Sequence, residues 1–185
     1  MSEQPIELQY DKSDWGEGPW QTEPDRVQWQ HAGYACLITR HPSFGSLCAY
    51  VGVDRAHPLY GQEWDAEGSP IDDLEVHGGV NYSAKCRGHI CHVPEPGMPD
   101  DVWWLGFECA HAFDLAPAME ARMKKLKPLS SPFLDIPKWP QMVEEMRDRL
   151  GMREHYRDLP YVKAECESLA EQLRALAPVP PAVAP

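Results

Sequence analysis

The stretch VWWLGFECAH, residues 102–111, decides the fold. Successive side chains of a strand point to opposite faces, so Trp103, Leu105, Phe107, Cys109 and His111 share one side. Trp104, Gly106, Glu108 and Ala110 share the other. The first set is apolar until its end, which makes it the expected core side of a strand. Cys109 and His111 close that face, and Asp114 follows just beyond, placed to orient or charge-stabilise an imidazole.

Working outward, Ala32 to Thr39 and Ser46 to Val53 read as two strands joined at the turn signal Pro42-Ser43-Phe44-Gly45. LEVHGGVNYS (74–83) reads as another strand. The loops at 54–73 and 84–101 are rich in Pro and Gly and cannot hold the crossover helices that parallel pairing requires. The expectation is an α+β fold, an antiparallel sheet of about four strands packed by two C-terminal helices. QMVEEMRDRLG (141–151) carries Met142, Val143, Met146 and Leu150 on one side before Gly151 stops it. Asp158 is the expected N-cap of the second helix, with Pro160 tolerated in its first turn. There Val162, Cys166, Leu169, Leu173 and Leu176 form a stripe expected to pack on the sheet, with a homo-oligomer through this helix as the alternative. Residues 1–30 read as an irregular acidic lead-in held by Trp15 and Trp20, 31–177 as a single domain, and PVPPAVAP (178–185) as a frayed Pro-rich tail.

The chain has 185 residues, a formal charge of −12 and a pI near 5.0. That balance argues against stable nucleic-acid binding, whose affinity comes from Lys and Arg displacing counterions. No apolar run approaches the roughly 18 residues of a membrane span, and the start MSEQP resembles no secretory signal, so the expected location is the cytoplasm. There the cysteines Cys36, Cys48, Cys86, Cys91, Cys109 and Cys166 are expected as thiols. Neither a Gly-rich phosphate loop nor Gly-x-Ser-x-Gly occurs, which disfavours ATP hydrolysis, Rossmann hydride transfer and serine-hydrolase chemistry.

HPLYG (57–61), VHGGVNYS (76–83), CRGHICHVPEPGMPDDVWWLGFECAH (86–111) with Asp114, and YRDLPYVKAECESLAEQL (156–173) together resemble a family of small bacteriophage and bacterial proteins with no established activity. The resemblance implies a phage protein in the host cytoplasm, and through that a role against host defence.

Paired glycines in a strand mark a bulge or a close approach of backbone to something else. His77, Gly78 and Gly79 are therefore expected to meet Cys109, His111 and Asp114 in one cleft, with Asn81 on the His77 face and Tyr82 on the opposite one. Tyr60 or Tyr82 is expected to line the same opening, and Trp104 to offer a stacking face if its side of the sheet is open. In HPLYG, Tyr60 either reaches a ligand or tethers the loop, while Trp64 and Trp139 read as loop anchors. CRGHICH holds Cys86, His89, Cys91 and His92, residue types that zinc prefers. No second close pair follows at finger-like distance, so the zinc set to consider is Cys86 and Cys91 or His92 with Cys109 and His111; the alternative is plain loop thiols and imidazoles. Two functions survive. One is sequestration of a small polar ligand, for example a nucleotide-derived host signal. The other is hydrolysis of such a ligand, with His77, His111 and Asp114 as acid, base or metal holders and the Gly78 and Gly79 amides steadying negative charge.

Overall fold

The computed structural model describes residues 9–92, 94, 96–125, 145, 149 and 154–177. The sheet has five antiparallel strands: β1 (Arg26–His31), β2 (Tyr34–Arg40), β3 (Leu47–Val53), β4 (Tyr82–Lys85) and β5 (Trp103–Glu108). Their spatial order is β1-β2-β3-β5-β4. The fold is α+β as expected, with one strand more than about four. β1 lies partly in the supposed lead-in and joins β2 through Ala32 (φ 50°) and Gly33 (φ 88°), pairing His31 with Tyr34. A two-residue turn with both φ positive matches the twist of a hairpin, and its usual sequence signal is Asn-Gly or Asp-Gly. Ala-Gly carries that signal poorly.

The stretch 74–83 is not one strand. Gly78 (φ 69°) and Gly79 (φ 82°) turn the chain, and pairing to β5 begins only at Tyr82, opposite Gly106.

Two helices are described, α1 (Pro117–Lys125) and α2 (Leu159–Leu176). Asp158 caps α2 by accepting from Tyr161 N at 3.0 Å. Val162, Cys166, Leu169 and Leu173 are buried against β2 and β3, whereas Leu176 stays 45% exposed. The stripe is thus spent within the chain. α1 has too little apolar periodicity to stand out in sequence. The helix expected at 141–151 lies outside the described residues apart from Glu145 and Arg149, as do Trp139 and the tail 178–185.

The sheet separates two cores. On the α2 side lie Cys36, Ile38, Val51, Leu105, Phe107 and Cys109. On the other side Leu37, Cys48, Tyr50, Val102 and Trp104 are covered by loop residues, Ile90 among them. Trp15 and Trp20 do anchor the N-terminal segment: Trp20 is buried edge-on to Tyr156 at 4.9 Å, and the Trp15 ring crowds Gly45.

Candidate functional site

His77, His111 and Asp114 converge where the turn after β5 meets the 76–79 turn and the first turns of α2. Asp114 is the hub, its side chain 1% exposed. Its Oδ2 accepts from His77 Nε2 at 2.7 Å and from the His111 backbone N at 3.0 Å; its Oδ1 accepts from Arg157 Nε at 2.8 Å. Main-chain bonds Leu115 N to His155 O and His155 N to Phe113 O bring the segment before α2 alongside this turn. With the His77 proton on Nε2, its Nδ1 faces the Tyr161 hydroxyl at 3.1 Å, and the His77 backbone N donates to Glu165 Oε2 at 2.8 Å. The His77 and His111 rings sit 5.5 Å apart.

Burial alone would raise the Asp114 carboxyl, but the donors His77, Arg157 and His111 N outweigh it and hold its pKa below the ordinary carboxylate value. The Tyr161 hydroxyl is pushed up, because burial and Glu165 outweigh the Arg157 cation over its ring. Asp114, His77 and Tyr161 thus have the connectivity of a relay, yet the electrostatics oppose a phenolate at its end. Cys109 lies beneath, 1% exposed, its thiol raised first by burial and then by Asp114, which makes it a core residue rather than a nucleophile.

The paired glycines do mark a close approach, but what approaches is His111. A Cβ at Gly78 would lie 1.9 Å from His111 Nε2, whereas one at Gly79 would meet nothing within 4 Å. The Gly79 amide is already bonded to Val76 O, so it is no free donor for developing negative charge.

The other expected ligand contacts lie elsewhere. Tyr60 donates to Asp101 and leans on Trp103, at the far end of β5, which is the tether reading. Trp104 is fully buried and offers no stacking face. Trp64 is 39% exposed, its backbone N held by Ser83 Oγ. Asn81 and Tyr82 line an open cavity of about 320 Å³ with His41, Tyr50, His89 and Glu108, on the sheet face away from α2. Tyr82 meets Tyr50 edge-on at 5.1 Å, and its hydroxyl is buried without a partner. His77, His111 and Asp114 thus converge as expected, with Cys109 beneath, but neither Tyr60 nor Tyr82 lines their cleft: the imidazole cluster and the cavity are on opposite sides.

The mixed zinc set is not assembled either. Trp104 Nε1 touches Cys86 Sγ at 3.5 Å on the loop side, while Cys109 points to the α2 side. Cys86 and Cys91 are joined as a disulfide, contrary to the expectation of six thiols. The cause is local: Arg87 and Ile90 exchange backbone hydrogen bonds, closing a turn that brings the two Cα atoms to 4.5 Å. The remaining four cysteines are free and buried.

Sequence reasoning missed Arg157, Tyr161 and Glu165. Tyr161 and Glu165, four apart, share one face of α2 beside the apolar stripe, and Arg157 sits just ahead of the Asp158 cap. It also missed Arg40, fully buried, which donates to Asp25 at 2.6 Å and to the Tyr156 hydroxyl at 2.7 Å. Among the described residues no helix is long and apolar enough to cross a membrane. Comparison of the chain with protein families, curated proteins and solved structures gives no match.

Proposed function

We propose that the chain binds a small polar heterocycle of the nucleobase or nucleoside class in the cavity formed by Tyr50, Asn81, Tyr82 and Glu108, and releases it unaltered. The observation that carries this reading is the cavity of about 320 Å³, a volume suited to a small ligand, with aromatic walls and a few polar groups. The Tyr50 and Tyr82 rings wall it, Asn81 supplies an amide that both donates and accepts, and Glu108 an acceptor. Among the described residues neither Lys nor Arg lines the cavity, and the chain is strongly acidic, so a phosphate on the ligand would remain in solvent. Sequestration of a nucleotide-derived host signal fits this chemistry through its base and sugar; the phage setting rests on the motif resemblance alone.

The test is a thermal-shift and calorimetric screen of adenosine, guanosine, cytidine and uridine, with chromatographic recovery of the ligand. One of them should raise Tm and return unchanged. Asn81→Ala should weaken its binding about two- to tenfold by removing a polar contact. No shift with any nucleoside, or an Asn81→Ala chain of unchanged affinity, refutes the reading.

Hydrolysis by His77, His111 and Asp114 is the second reading, favoured by the contacts of His77 with Asp114 and Tyr161. Against it stand the raised Tyr161 hydroxyl and the Gly79 amide already in use. Ligand recovered as cleaved products, with cleavage lost in His77→Gln, would select it.

A further inference from the structure

We propose that Cys86, Cys91 and His92, in their dithiol form, hold one zinc ion. A sulfur from each cysteine and a ring nitrogen of His92 all lie within 4.8 Å of one another. His92 is 93% buried by its 7% residual exposure, and its two nitrogens differ. Nε2 meets the Pro99 carbonyl at 3.2 Å, and a carbonyl only accepts, so Nε2 carries the proton. Nδ1 is then the lone-pair nitrogen, and it is buried with no partner in the protein. A buried imidazole whose one N–H is fixed by a backbone carbonyl while its other nitrogen is left without a partner has the tautomer and support that metal-bound histidines show. Neutral imidazole and thiolate are the donors zinc prefers.

The loop that carries these groups is held from outside itself. Arg26 on β1 donates to the carbonyls of both His89 and Cys91, and Trp104 Nε1 donates to Cys86 Sγ, a contact that favours a thiolate. Ion and disulfide exclude each other, since the ion needs both sulfurs as thiolates. From the dithiol, zinc displaces the two thiol protons to solvent and forms two Zn–S bonds and one Zn–N bond, and water takes the fourth corner of the tetrahedron. The two thiolates balance the charge of Zn²⁺. None of its three ligands lines the nucleoside cavity, although His89 and Ile90, between the two cysteines, do, so cobalt binding is read with no nucleoside present.

Cobalt(II) titration of the full chain, reduced with a water-soluble trialkylphosphine, tests this directly. One equivalent should produce the sulfur-to-metal charge-transfer band and the intense visible bands of tetrahedral cobalt, and zinc should then abolish both by displacing it. The disulfide form should bind none. Cys86→Ser and Cys91→Ser should lose most of the charge-transfer intensity. His92→Gln should weaken binding by more than the roughly 10–100-fold that loss of a supporting partner costs. Far-UV circular dichroism of each variant reports its fold, and the unsubstituted chain alone decides whether the site exists. Absence of tetrahedral bands in the reduced chain, or a His92→Gln chain of unchanged affinity, overturns the proposal.

Discussion

Replacing Asp114 with Asn removes the charge at the hub of the imidazole cluster while keeping nearly the same shape. Asp114 accepts from three donors, and two of them, Arg157 and His77, belong to cationic or chargeable side chains. Breaking one partner of a buried ion pair costs about 3–5 kcal/mol. Two features place Asp114→Asn below that. Arg157 is 30% exposed and recovers hydration when freed, and the Asn carbonyl still serves the His111 amide. Against this, the Asn amide group presents donors to a donor. The expected loss is about 2–3 kcal/mol near pH 7, read as a fall of about 1–2 M in the urea midpoint. The pH dependence gives a sharper check. Because the folded-state pKa of Asp114 lies below its ordinary value, its contribution is complete above the unfolded pKa of about 3.9 and is lost as pH falls through the folded value. The gap between native chain and Asp114→Asn should therefore be full from about pH 5 upward and should close on acidification below the unfolded pKa. Other carboxylates, such as the similarly lowered Asp25, cancel in the difference. A gap under about 0.5 kcal/mol at pH 7, or one that persists unchanged at the acid end, would refute the assignment of Asp114 as the charged hub.

Gly78→Ala and Gly79→Ala form a matched pair, since both replace a glycine at positive φ but only the first meets the His111 ring. Chemical denaturation should give about 1–2 kcal/mol of destabilisation for Gly79→Ala and clearly more for Gly78→Ala, with the excess relieved by adding His111→Ala. Ala32→Asn should stabilise the chain by about 0.5–1 kcal/mol, because Asn tolerates the left-handed backbone that Ala32 adopts at φ 50°; an unchanged or lower urea midpoint would count against the turn assigned between β1 and β2.

Strong periodicity made three elements legible: β5 from its alternation, the β2–β3 pair from two runs around a turn signal, and α2 from its cap and apolar stripe. The readings that failed did so where tertiary partners decide the structure. β1 carries Gln28, Gln30 and His31 and is only half-buried, so its pattern is weak until β2 supplies the pairing. The convergence of His77, His111 and Asp114 was readable because Gly-Gly signals a close approach and strand parity fixes where His111 points. Which sheet face Asn81 and Tyr82 would serve depended on where strand β4 begins. Reading 74–83 as one continuous strand set Asn81 on the His77 face and Tyr82 on the opposite one; Tyr82 does lie on the loop side, but the turn at Gly78–Gly79 breaks the alternation and Asn81 lines the same cavity. The Cys86–Cys91 bond escaped for a different reason: it follows from a local turn, about which an expectation of compartment says nothing.

The two faces of the sheet differ in how completely they satisfy their own polar groups, and this difference ranks them as places to test for a ligand. On the α2 side, the Asp114 hub gathers His77, Arg157 and the His111 amide, and Glu165 takes the His77 amide. Each of these contacts ties the 76–79 turn, the end of β5 or the start of α2 to another, so the cluster reads as a latch that docks the helix. Its exceptions among the described residues are His111 Nε2, pressed on Gly78, and Trp29 Nε1. On the loop side, Arg26 Nε, Tyr82 Oη and His92 Nδ1 are all buried without protein partners, and they fall around one short loop, 86–92. An unpaired buried polar atom costs about 1–3 kcal/mol. A chain that leaves several on one face, beside a cavity and a pair of sulfurs, gains that energy back only when something outside the chain fills the gaps. The loop-covered face, not the imidazole cluster, is therefore where binding should be sought first.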